Sequence, residues 1–112
     1  MNLSRLQTDV HALALEKGWW DNVDRFNAEV IAAKLCLVHS EVSEALEAVR
    51  DREMALYLDV RGKPEGLPAE LADVVIRVLD LAEALGIDLT YAIQIKHNFN
   101  RSRSTRHGGK AL

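Results

Sequence analysis

Glu41 and Glu44 stand three residues apart, and Glu70 and Asp73 repeat that spacing after an interval of 25 residues. A three-residue step on a helix turns about 60°, so the two acids of each pair project from one face. Within a pair the carboxylates repel each other. Around the second pair lie Leu71, Ala72, Val74 and Val75, where an uncompensated charge is costly to bury. A single ExxE is ordinarily a solvated face, but two pairs on largely apolar helices ask for a shared cation. Oxygen ligands without a thiolate partner select a hard ion, Mg²⁺ or Mn²⁺, over zinc. Glu47, one turn beyond Glu44, is either an extra ligand, a base for water or a surface charge, whereas Glu53 and Glu83 read as surface charges. A ferritin-like di-iron site needs Glu-x-x-His on facing helices. Thr8, Cys36, Gln94 and Ser104 stand three before the four histidines, so that chemistry lacks its nitrogen ligands.

A second group of residues is basic. Lys96 and Asn100 share a helical face, and Arg101, Arg103, Arg106, His107, Gly108, Gly109 and Lys110 follow. Lysine offers a compact charge, arginine a bidentate fork, and glycine-rich backbone a close approach to an anion. Alone, such a tail reads as a solvated end; beside a cation site it suggests a polyphosphate. Lys34, two turns before Glu41, offers either a further phosphate contact or an ion pair to the acids. Trp19 and Trp20 are the only tryptophans, and one of them, Trp20 in the first place, is a candidate to stack on a nucleobase. The alternative is that they close the end of the core. Cys36 and His39 show no nucleophile, base and orienter pattern and read as structural.

Four helices must position these groups. Leu3, Leu6, Val10, Leu13 and Ala14 predict a first helix over 3–17 stopped by Gly18. Ile31, Leu35, Val38, Val42, Ala45, Leu46 and Val49 form one apolar stripe on a second helix from about Asp24 to Arg50. Gly62, Pro64 and Gly66 break the pattern, and the alternation at Leu56, Leu58 and Val60 allows a short extended piece. Pro68 opens a third helix whose stripe runs from Leu71 to Leu85, and Asp88 caps a fourth that dissolves near Arg103. The expected fold is all-α, a single domain over 1–112 built as an antiparallel four-helix bundle.

A chain of 112 residues that is 48% hydrophobic buries a core yet keeps much surface exposed, so self-association would help it. Residues 1–10 lack the apolar region of a secretory signal, no apolar run suits a bilayer, and a lone Cys36 fits a reducing compartment. These features predict a cytoplasmic protein. A net charge of −3 argues against a stable nucleic-acid complex.

With these residues in view, the chain resembles the MazG-like family of all-α nucleoside triphosphate pyrophosphohydrolases, whose signature is ExxE, a spacer and ExxD. The likeness is carried by KLCLVHSEVSEALE, by GKPEGLPAELADVVIRVLD and by the basic segment KHNFNRSRSTRHGGK. Ser104 and Thr105 stand where relatives would carry a proline and an aromatic residue. The resemblance implies that Glu41, Glu44, Glu70 and Asp73 hold Mg²⁺ (Mn²⁺ as a substitute) and serve the reaction. It implies water attack at the α-phosphorus of a nucleoside or deoxynucleoside triphosphate, releasing pyrophosphate and a monophosphate. Lys96, Asn100, Arg103, Arg106 and Lys110 would contact phosphates, and the chain would assemble as a homodimer or homotetramer with the bundle completed between subunits. Two other readings stay open: a noncatalytic helical module that binds nucleotide or a partner protein, and a phosphohydrolase that releases orthophosphate.

Overall fold

A computed structural model of the chain describes residues 2–103. Its elements are α1 (Leu3–Glu16), α2 (Ala28–Arg50), β1 (Tyr57–Leu58), β2 (Pro64–Glu65), α3 (Leu67–Ala84) and α4 (Leu89–Ser102). The described chain is thus predominantly helical. Asn2 starts α1 by accepting from the Arg5 amide at 2.8 Å, which satisfies one of the orphan donors of a first turn. Gly18, at φ +80°, turns the chain out of that helix.

The second helix begins four residues later than its apolar pattern suggests. Asn27 accepts from the amides of Glu29 and Val30 at 2.8 and 3.3 Å, while Asp24 is occupied with the amide of Phe26 at 3.0 Å. Two capping side chains compete, and the one nearer the apolar stripe starts the helix. At α4, Asp88 caps as expected, accepting from the Tyr91 amide at 3.0 Å.

Between α2 and α3 the short extended piece is a two-residue antiparallel ladder, pairing Tyr57 with Glu65 and Leu58 with Pro64. Gly66 then makes the turn into α3 at φ +96°. A Cβ at this position would lie 2.1 Å from the Ala55 carbonyl oxygen, so only glycine lets the two backbones approach this closely. The Leu67 amide donates to the Glu53 carbonyl at 2.8 Å, and the Glu53 amide to Ala48 at 2.8 Å. The hairpin is therefore tied at its base to both the end of α2 and the start of α3.

Helix α3 packs against both α1 and α2. Ala14, Trp20, Leu81 and Ala84 form the buried cluster, with Val30 and Leu85 against it. Burying a side chain the size of Leu79, which is 1% exposed, contributes roughly 2 kcal/mol. Gln7 links three elements, donating from Nε2 to Glu83 Oε1 at 3.0 Å and to the Ile87 carbonyl at 2.8 Å. No residue of α4 is buried within one chain. The α2 stripe is also split: Ala45 and Ala48 are buried, but Leu35, Val42, Leu46 and Val49 remain largely exposed. Among the described residues no helix is long and apolar enough to cross a membrane. Cys36 and His39, read as structural, are both exposed.

Candidate functional site

Glu41 is carried by the middle of α2, and Glu70 and Asp73 by the first turns of α3. Because α2 packs along α3, one carboxylate oxygen from each of Glu41, Glu70 and Asp73 falls within 4.8 Å of the others. Glu44, one turn after Glu41, lines the same pocket, of about 370 Å³, together with Ser40, Lys63 and Glu65. The two acidic pairs therefore meet in one pocket, with three of the four side chains converging and Glu44 lining it beside them.

The electrostatics of this pocket are unbalanced. Among the described residues, Glu41, Glu44, Glu65, Glu70 and Asp73 face Lys63 and Arg77, five acids against two cations. At about 5 Å and an effective dielectric near 20, two ionised carboxylates repel by roughly 3 kcal/mol, less where solvent screens the exposed Asp73. Burial, and then the charges of Asp73 and Glu44, push the Glu70 carboxyl above its usual range. Glu70 lies in the first turn of α3, where the helix dipole favours an ionised acid; desolvation and crowding outweigh that contribution. Asp73 is also raised, first by burial and then by Glu41, with Arg77 and Lys63 opposing. Such a set ionises more readily once a cation is added, and its all-oxygen donors fit a hard divalent ion.

Arg77, four residues after Asp73, donates from Nε to Glu41 Oε1 at 3.2 Å, and its guanidinium lies 5.5 Å from the centre of the Trp19 ring. Lys63 pairs with Glu65 at 3.1 Å. Neither Lys63 nor Glu65 stands out by spacing in the sequence. The two hairpin residues reach the pocket because the ladder folds back over it, and Arg77 because it is one turn along the face of Asp73. That periodicity alone could have singled out Arg77.

The remaining predicted residues fall elsewhere. Trp20 is not open to a base: it is buried in the core cluster, and its Nε1 donates to both oxygens of Asp80 at 3.0 and 3.1 Å. Its burial follows from the turn at Gly18, which folds the indole back onto α3; Trp19 is the exposed one. Lys34 is not directed at the acids either. Its Nζ donates to the Trp19 carbonyl at 3.0 Å and sits 4.1 Å over the Trp20 ring, a cation–π contact that fixes the turn after α1. Glu47 pairs with Arg50 at 2.8 Å on the exposed side of α2, away from the pocket. On α4, Lys96 and Arg103 lie 5.5 and 5.7 Å from the centre of the Phe99 ring, and neither they nor Asn100 lines the acidic pocket of their own chain. Arg106 and Lys110 lie outside the described residues.

No family model matches the chain, and no solved structure matches it. A 37-residue segment is 57% identical to a dATP/dGTP diphosphohydrolase of Cyanophage S-2L. That segment covers 33% of this chain and 35% of the phage protein, so the likeness spans about a third of each. The chain is thus similar, over that segment, to an enzyme that hydrolyses nucleoside triphosphates.

Proposed function

We propose that the chain is a divalent-cation-dependent nucleoside triphosphate pyrophosphohydrolase of the MazG-like kind, acting on a deoxynucleoside or nucleoside triphosphate. The observation that carries this reading is the convergence of Glu41, Glu70 and Asp73 oxygens within 4.8 Å in a pocket with excess negative charge. The segment shared with the phage diphosphohydrolase supports the substrate class. Glu41, Glu70 and Asp73 would hold Mg²⁺ or Mn²⁺, with Glu44 as a further or alternative ligand. The ion, when bound, supplies positive charge to polyphosphate oxygens and makes water a better nucleophile.

The chain's own residues do the rest. Crowded carboxylates in the pocket accept protons as water adds to the α-phosphorus, and the bond to the bridging oxygen breaks to release pyrophosphate. Lys96, Asn100 and Arg103, with Arg106 and Lys110 beyond the described residues, offset the negative charge on the departing oxygens. Of these, the described Lys96, Asn100 and Arg103 do not line the pocket of their own chain. The exposed Val42, Leu46, Leu71 and Val75 and the unburied α4 suit a bundle completed by a second copy, a homodimer or a pair of dimers, which would bring the partner's basic segment to the acids.

The test is a panel of nucleoside and deoxynucleoside triphosphates with Mg²⁺, scored for monophosphate plus pyrophosphate against diphosphate plus orthophosphate. The first product pair is expected, and Glu41→Gln and Asp73→Asn are expected to lower turnover by about a thousandfold or more with helical circular dichroism intact. Near-normal turnover in either variant contradicts the site; orthophosphate release contradicts the reaction; tight nucleotide binding without turnover favours the noncatalytic module.

A further inference from the structure

Glu41 is the single member of the converging carboxylates that comes from α2. In the absence of a cation, Glu70 and Asp73 repel it, and a flexible glutamate would relieve that repulsion by swinging to solvent. It does not swing away, because Arg77 Nε holds Oε1 at 3.2 Å with both side chains substantially covered, 30% and 15% exposed. The guanidinium itself lies over the Trp19 ring, 5.5 Å from its centre. Trp19 in turn is fixed by Lys34 Nζ on its carbonyl, and Lys34 by the face of the buried Trp20. A continuous set of contacts therefore runs from the buried Asp80–Trp20 pair out to one carboxylate of the pocket.

We infer that Arg77 is a positioning residue: backed by Trp19, it keeps Glu41 aimed at Glu70 and Asp73 and so prepares the pocket for a divalent cation, an inference that rests on the cation-binding reading above. A carboxylate has about four lone-pair sites, so the Arg77 hydrogen bond leaves Oε2 and part of Oε1 for a metal. Groups that hold a ligating carboxylate from outside typically matter by about 10–100-fold in metal affinity.

The experiment is Mn²⁺ binding to the full chain, followed by the electron paramagnetic resonance signal of free Mn²⁺, with no nucleotide present. Arg77→Met is expected to weaken binding by about tenfold or more while metal-free helicity is unchanged, and Arg77→Lys, which keeps a cation within reach of Glu41, to recover much of the loss. In a Glu41→Gln background the Arg77→Met change is expected to have no further effect, because its target is gone. Trp19→Ala, which leaves the ion pair but removes the surface behind it, is expected to act in the same direction by a few-fold, and it carries the test should Arg77→Met fail to fold. Unchanged Mn²⁺ affinity in Arg77→Met, or in Trp19→Ala where only that variant folds, overturns the inference and leaves the proposed function standing. A wild-type chain that binds no Mn²⁺ overturns both.

Discussion

Helix α3 carries acidic side chains in two contrasting settings. Near its C-terminal half, Asp80 is 5% exposed yet fully engaged: His11 Nδ1 donates at 2.7 Å, and Trp20 Nε1 donates to both oxygens. His11 and Trp20 also meet edge-on, with ring centroids 5.8 Å apart. At the other end, Glu70 and Asp73 are less buried but face mainly other carboxylates. Burial alone does not decide whether an acid is comfortable; the donors around it do. The Asp80 end is a completed polar network that fixes α1 to α3. At the Glu70 end the described acids outnumber the cations facing them, and that imbalance is what the proposed cation site rests on.

The contrast can be broken most severely at its satisfied end. Asp80→Ala strands the buried Trp20 and His11 nitrogens and is expected to cost about 3 kcal/mol, read by denaturant unfolding. Asp80→Asn keeps an acceptor for Trp20 and is expected to cost less. The reverse ranking would show that the network is not what holds α1 to α3. Gly66→Ala comes next. Its Cβ meets the Ala55 carbonyl at 2.1 Å and its φ is +96°, so a loss of roughly 2 kcal/mol is expected, together with weaker cation binding as the start of α3 shifts under Glu70. A Gly66→Ala chain with wild-type stability would mean that the hairpin is not anchored there.

The smallest effect sharpens the comparison at the crowded end and reverses its sign. The Glu70 and Asp73 carboxyls are raised in the folded chain, so their contribution to stability is fully present below the ordinary carboxylate range and is lost as pH rises through the raised values. Metal-free Glu70→Gln is therefore expected to melt higher than wild type at neutral pH, by a few degrees, with the advantage vanishing in acid. Added Mg²⁺ should erase or invert that advantage. Thermal melts of both chains across pH, with and without Mg²⁺, check it; a Glu70→Gln chain that is less stable at neutral pH without metal contradicts the charge imbalance.

Much of this arrangement was legible in the chain itself, and the parts that were not share a cause. The 3.6-residue periodicity marks the described helices, and Gly18, Pro68 and Asp88 mark ends of them, because these signals are local. The start of α2 was misplaced because Asp24 and Asn27 are equally good capping residues by type, and only the hydrogen bonds made by Asn27 decide between them. The acidic pairs were visible from spacing, and their meeting in one pocket follows from the packing of α2 on α3. For Trp20 and Lys34 the sequence leaves substrate contact open beside core closure and an ion pair, because it shows an aromatic and a cation near the acids but not the turn that buries the indole under Lys34. Arg77 is within reach of helical periodicity from Asp73, whereas Lys63 and Glu65 lie in the hairpin, and only tertiary structure brings them to the pocket.

The central claim is that Glu41, Glu70 and Asp73 together hold a divalent cation. The most direct measurement is a crystal of the full chain grown with Mn²⁺, with anomalous scattering recorded at a wavelength where manganese contributes strongly. The account predicts a peak between these three carboxylates that disappears in Glu41→Gln and Asp73→Asn. A saturated crystal with no peak there, or with its manganese bound elsewhere on the chain, would contradict it.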